Sequence, residues 1–363
     1  MTNPLISQRL KALRKERGLS QDDVAAVLGM NDRQTVSAIE GGVRPLKGRE
    51  AVALMGAYGV DQDYFTDPFR LVGEGAFNWR QTMSSPAALK DYQERARRWL
   101  AAYRALSTSE NRPGPAERRS LRLAENSTFE MAIAEAERLT LDYSMGDVPA
   151  VRLPTVMEED FGILVLMVDM DSRISGAACR LPEMDAVLVN RHENPGRRNF
   201  DLAHEFFHIL TWDRMPPKPI EDASESGGSR VEKLANSFAS ALLMPRRLLE
   251  RFGIWTGMGV AERAARMRTV ADHFRVSVTA LHWRLVALKF LNRQAPMLDV
   301  AALGAAQRAD TPAAFSRVFL QAMADAIAKG RLSVAKLASL LETPRYLLRD
   351  LFETHGIEAP VTV

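Results

Sequence analysis

The sequence predicts a mostly helical α+β protein with a small sheet. Three observations lead there. Alanine and leucine are abundant while tryptophan (5) and tyrosine (6) are sparse. Convincing strand texture is confined to one block, and helical spacing of apolar residues returns on both sides of it. The 363 residues exceed what one core usually organises, so two or three domains are expected. Changes of texture divide the chain into residues 1–68, a helical linker 69–115, a strand-bearing region 116–255 and a helical region 256–363.

Composition excludes several classes. Hydrophobic residues make up 46% and charged residues 26%, which is globular rather than disordered. No apolar run is long enough to span a membrane, and Met1–Pro4 opens no basic-then-apolar leader, so no membrane association and a cytoplasmic location are expected. The single cysteine, Cys179, forbids an internal disulfide framework or an all-cysteine metal cage and fits a reducing compartment. A net charge of +3 does not make the whole chain a nucleic-acid coat, but it permits one local basic face.

In the first region, Leu5, Ile6, Leu10 and Leu13 share one face of a first helix that ends at Gly18. Ser20 then caps a second helix, with Asp22 and Asp23 at its positive end. That helix buries Val24, Ala25 and Leu28 and stops at Gly29. A third helix turns Val36 and Ile39 inward, shows Arg33, Gln34, Thr35 and Ser37 outward, and ends at Gly41-Gly42. Two short helices joined by a tight turn suit a major groove. Arg33 and Gln34 can pair with base edges, while Gln21 and Ser37 can bond phosphate oxygens. The stretch Gln21–Pro45 resembles the Cro/repressor-type (XRE) helix-turn-helix family in its Ser-Gln start, its Leu-Gly turn and its Ser37-x-x-Glu40 ending. The resemblance implies a five-helix DNA-binding domain over 1–68, whose reach to two half-sites calls for a homodimer.

The linker carries a Gly-rich connector at 71–75 and a basic helix around Arg95–Arg104, closed by Asn111-Arg112-Pro113-Gly114-Pro115. In the next region, about three strands are expected, over 161–168, 174–179 and 186–189. So few strands must pack on helices. An exposed edge of this sheet could accept an extended peptide as an added strand.

His204-Glu205-Phe206-Phe207-His208 follows on an apolar-periodic helix. Histidines at i and i+4 lie one turn apart on one face, so both imidazoles can hold one ion. Glu205 between them can act as general base on a water that the metal makes acidic. A catalytic zinc wants a third protein ligand. A helix beginning near Val231 places Glu232 and Asn236 one turn apart beside its apolar stripe. Glu232 is the best third ligand, and Asn236 could bond the second nitrogen of a ligating histidine. His192 competes as a ligand, and Asp201 and Asp213 do so more weakly. The loop from Pro216 to Ser229 reads as a lid or as a solvated connector.

Phe200–His208 followed by Glu232–Pro245 resembles the ImmA/IrrE metallopeptidases. The likeness covers about residues 116–255 and implies a zincin-like fold with one Zn2+ per chain, ligands His204, His208 and Glu232, and catalytic Glu205. It also implies a partner, since well-understood members cut XRE-type repressors to release stress-response or mobile-element genes. Those proteases find their repressor on another chain, whereas here an XRE-like module is fused. The expected function is therefore a zinc endopeptidase joined to a DNA-binding module and acting on an XRE-type repressor. The alternative is an XRE-family regulator whose protease-like domain senses a ligand or partner without cleaving. Beyond Pro245, residues 270–291 and 333–352 each repeat a cap-helix-turn-helix pattern, open to reading as groove-binding pairs or as packing helices.

Overall fold

The computed structural model describes residues 4–71, 76–81, 86–107, 117–218, 220–222, 229–292 and 311–360. The first unit comprises residues 1–75 with 93–106, and the second comprises 76–92 with 107–363.

Up to residue 71 the amino-terminal unit carries α1 (Pro4–Glu16), α2 (Gln21–Val27), α3 (Gln34–Glu40), α4 (Gly48–Tyr58) and α5 (Gln62–Thr66), and residues 93–106 of a later helix also belong to it. Ser20 and Asp23 form a reciprocal cap on α2: the Ser20 hydroxyl accepts from the Asp23 N–H at 3.1 Å, and the Asp23 carboxylate accepts from the Ser20 N–H at 2.7 Å. Gly29, at φ 65°, makes the turn out of α2. Leu10, Leu13, Val24, Val36, Ile39, Leu54 and Phe65 form the core. Buried Arg9 fastens α1 to the far end of the unit, donating to the carbonyls of Tyr64 (2.8 Å) and Arg70 (2.6 Å).

The segment read from sequence as a helical linker has two parts. Its strand β1 (Ala76–Gln81) joins the sheet of the second unit, and helix α6 (Pro86–Leu106) follows it. Residues 72–75 of the Gly-rich connector and the 111–115 stop lie outside the described residues.

In the second unit, α7 (Phe129–Asp142) and α8 (Pro149–Glu159) precede β2 (Ile163–Val168), β3 (Ile174–Arg180) and β4 (Asp185–Asn190). The central strands lie where the sequence expects them. Then come α9 (Pro195–Thr211), β5 (Ile220–Asp222), α10 (Arg230–Leu243) and the short α11 (Arg246–Leu249). The sheet order is β2-β4-β3-β1-β5. Strand β4 pairs parallel to β2 and antiparallel to β3, while β1 pairs antiparallel to β3 and parallel to β5. Sequence periodicity missed β1 and β5 because neither carries an apolar run: β1 reads AFNWRQ and β5 has three residues, IED. At the opposite edge, the Phe315 N–H donates to the Met167 carbonyl at 2.6 Å, so part of the β2 edge is already occupied.

Helices α12 (Val260–Phe274), α13 (Val278–Ala287), α14 (Arg317–Ala328), α15 (Val334–Leu341) and α16 (Arg345–Thr354) complete the described chain. Arg284 of α13 is buried and bridges Glu137 of α7 (2.5 Å) and the Met244 carbonyl after α10 (3.0 Å). Gly196 at the start of α9 faces the α12–α13 turn so closely that a Cβ there would meet the Ser277 nitrogen at 2.5 Å. Among the described residues, no helix is long and apolar enough to cross a membrane.

Candidate metal centre

Two helices bring the candidate ligands together. Asn194 caps α9, accepting from the Gly196 N–H at 3.0 Å, and Pro195 occupies its first turn, where a missing N–H costs nothing. The helix packs on β3 and β4, and His204, Glu205 and His208 are fully buried on it. Ser229 caps α10, accepting from the N–H of Glu232, which places Glu232 in the first turn. Leu234, Ala235, Phe238 and Leu242 form the buried stripe of α10. Phe238 packs at a tilt against Phe207, with ring centroids 5.4 Å apart and planes at 55°, holding α10 against α9.

Across this contact, the Nε2 atoms of His204 and His208 are 3.0 Å apart. The Glu232 carboxylate lies 3.1 Å from His204 Nε2 and 3.2 Å from His208 Nε2. Among the described residues, this is the one group of three or more potential ligands whose donor atoms all fall within 4.8 Å. Asn236, one turn beyond Glu232, puts its Oδ1 3.0 Å from His204 Nδ1. An amide oxygen only accepts, so Nδ1 carries the proton and the Nε2 lone pair turns toward Glu232 and His208.

Electrostatics favours the same state. Burial, aided by the Arg80 charge, pushes the His204 imidazolium down to about 3, so the ring is neutral. Burial raises the Glu232 carboxyl, but its contacts with the two imidazoles outweigh this and hold it below the usual carboxylate range. The neutral His204 ring and the ionised Glu232 carboxylate, with His208 Nε2 beside them, form a donor set that fits a borderline divalent cation such as zinc. With 18% of its side chain exposed, Glu232 marks the solvent side of an otherwise buried site.

The rival ligands lie elsewhere. His192 is exposed and pairs with Asp169, and Asp213 is exposed and pairs with Arg180 at 2.8 Å. Asp201 is buried one turn before His204, where Arg80 of β1 donates to it at 2.8 Å. Burial raises the Asp201 carboxyl, opposed by Arg80 and Arg197. Sequence reasoning missed Arg80, because nothing local links a residue of the connecting segment to the His204 helix. In the amino-terminal unit, Arg33, Gln34 and Ser37 are exposed and Thr35 is half-buried. Gln21 instead donates to the Glu40 carboxylate at 3.0 Å, which Arg14 also engages. It therefore helps to join α2 to α3. The loop expected over 216–229 contributes β5, and its residues 219 and 223–228 lie outside the described residues.

Fold and site together define a helix-turn-helix domain followed by a metallopeptidase-like domain. Comparison with known families agrees: residues 5–64 match a helix-turn-helix domain, and residues 158–286 match the IrrE N-terminal-like domain. The second match contains His204, Glu205, His208, Glu232 and Asn236. The chain is also similar to the radiation response metalloprotease IrrE of Deinococcus radiodurans, 39% identical over 107 residues. That alignment covers 27% of this chain and 32% of the relative, so the chain spans about a third of the relative's length.

Proposed function

We propose that this chain is a cytoplasmic zinc-dependent endopeptidase that reads DNA through its amino-terminal domain and cuts an XRE-type transcriptional repressor. The carrying observation is the convergence of His204, His208 and Glu232 from two helices, with Glu205 buried beside them. These three side chains would hold one zinc ion, whose Lewis acidity makes a water molecule acidic and polarises the scissile carbonyl. Glu205 accepts the water's proton on a carboxylate oxygen and passes it to the leaving amine nitrogen. Asn236 keeps the His204 ring in the tautomer and orientation that ligation requires.

A repressor substrate is supported by the helix-turn-helix domain within the same chain and by the likeness to a metalloprotease of the radiation response. Arg33, Gln34, Thr35 and Ser37 are the residues assigned to DNA, and a homodimer supplies the second half-site. Retention of both histidines and both glutamates favours cleavage over ligand sensing alone.

The test incubates zinc-loaded chain with XRE-type repressors encoded beside it, with and without chelator. Metal-dependent cleavage that Glu205→Gln abolishes, while zinc content stays at one per chain, is the expected result. Intact repressors in the presence of bound zinc overturn the peptidase reading. Unaltered promoter control by Glu205→Gln would instead make the domain a sensor.

A further inference from the structure

Two helix pairs near the carboxy end share one construction. Arg275 after α12 and Glu342 after α15 both adopt left-handed backbone, at φ 54° and 52°. In each turn the next N–H closes back on an alanine carbonyl, Val276 on Ala271 and Thr343 on Ala338, both at 3.0 Å. One residue later Ser277 or Pro344 starts the following helix. Buried side chains keep the same spacing about the turn: Phe274, Leu281 and Leu285 in one pair, Leu341, Leu348 and Phe352 in the other.

The two second helices differ in what they leave outside. In α13, Trp283 is exposed, but the polar side chains are taken up by the core: His282 is buried and Arg284 is locked between Glu137 and Met244. In α16 the amino-terminal half is open: Arg345 and Arg349 are exposed and Tyr346 is 78% exposed. The acidic residues of this helix, Asp350 and Glu353, come after that half. Exposed Arg331 and Lys336 precede it on the turn before α15 and on α15 itself.

We infer that α15–α16 is a second binding element for duplex DNA, with Arg345, Tyr346 and Arg349 of α16 presented to the groove and its phosphates. A tight turn delivers the second helix of such a pair to the major groove, and the residues just after its start are the ones that reach DNA. Two arginines flanking an exposed tyrosine supply charge for phosphates and forked donors for base edges. The inference does not depend on the peptidase reading.

The experiment uses the full chain and a labelled mixed-sequence duplex, read by fluorescence anisotropy over a salt series. Arg33→Glu with Gln34→Glu removes the amino-terminal contribution. On that background, salt-dependent binding is expected to persist at low salt. Adding Arg345→Ala and Arg349→Ala should make the slope of log affinity against log salt shallower by about two, near 0.9 per phosphate contact. Arg345→Lys with Arg349→Lys should keep the steeper slope, which separates lost charge from lost folding. Unchanged affinity and slope after the alanine substitutions overturn the inference and leave α16 as a protein-facing surface. Complete loss of low-salt binding in the Arg33→Glu, Gln34→Glu chain, with wild-type thermal melting, overturns it equally.

Discussion

Through its side chain Asn236 bonds His204 Nδ1, and so decides which nitrogen of that ring carries the proton. Replacing it with alanine leaves the Nδ1 proton buried without its acceptor and frees the ring to turn. Metal affinity of Asn236→Ala, followed by competition with a chelator, should fall about 10–100-fold. Glu158, at the end of α8, shows the opposite use of burial. It accepts from the Val165 N–H at 3.2 Å, and burial pushes its carboxyl up to about 7. The folded chain keeps this proton, whereas the unfolded chain releases it near 4.5. Stability should therefore fall as pH rises from about 4.5 to 7 and then level off, by at most about 3 kcal/mol. Glu158→Gln should remove that part of the decline, as denaturant melts across this pH range will show.

At the scale of elements, the candidate centre depends on how α9 is seated. Its amino end is pressed against the α12–α13 turn, with Gly196 at the closest approach. Gly196→Ala would drive a methyl group into the Ser277 backbone, so α9 or the turn must shift. A loss of about 3 kcal/mol in unfolding free energy is expected, together with weaker metal binding, because the shift moves the helix that carries both histidines. In the amino-terminal unit, the reciprocal cap at Ser20 is local to α2. Ser20→Ala should cost about 1 kcal/mol in chemical denaturation and leave the metal site untouched.

For the whole molecule, metal and fold are linked. The three donors come from α9 and α10, so an ion bound there stabilises only the packed state. Zinc should raise the melting temperature of the second unit, and chelation should reverse the rise. Glu205→Gln should keep the zinc-induced shift, whereas Glu232→Ala should lose most of it. Calorimetry on both variants, with and without zinc, checks this pairing. An equal shift in both would place the ion away from the α9–α10 contact.

Much of this architecture is written in local sequence. Ser20, Gly29 and the Val24, Val36 and Ile39 spacing determine the amino-terminal helices, because caps, turns and helical periodicity act within a few residues. The runs at 163–168, 174–180 and 185–190 determine the central strands in the same way. His204, Glu205 and His208 are legible as a set because one helical turn fixes their relation. Glu232 could be nominated from its own helix, but only the seating of Phe238 against Phe207 brings it within 3.2 Å of both rings. Tertiary structure alone joined β1 to the sheet, gave Arg80 to Asp201, turned Gln21 toward Glu40 and separated the buried face of α13 from the open face of α16. Those outcomes rest on contacts between segments far apart in the chain, whose pairing is settled by which surfaces the core can cover.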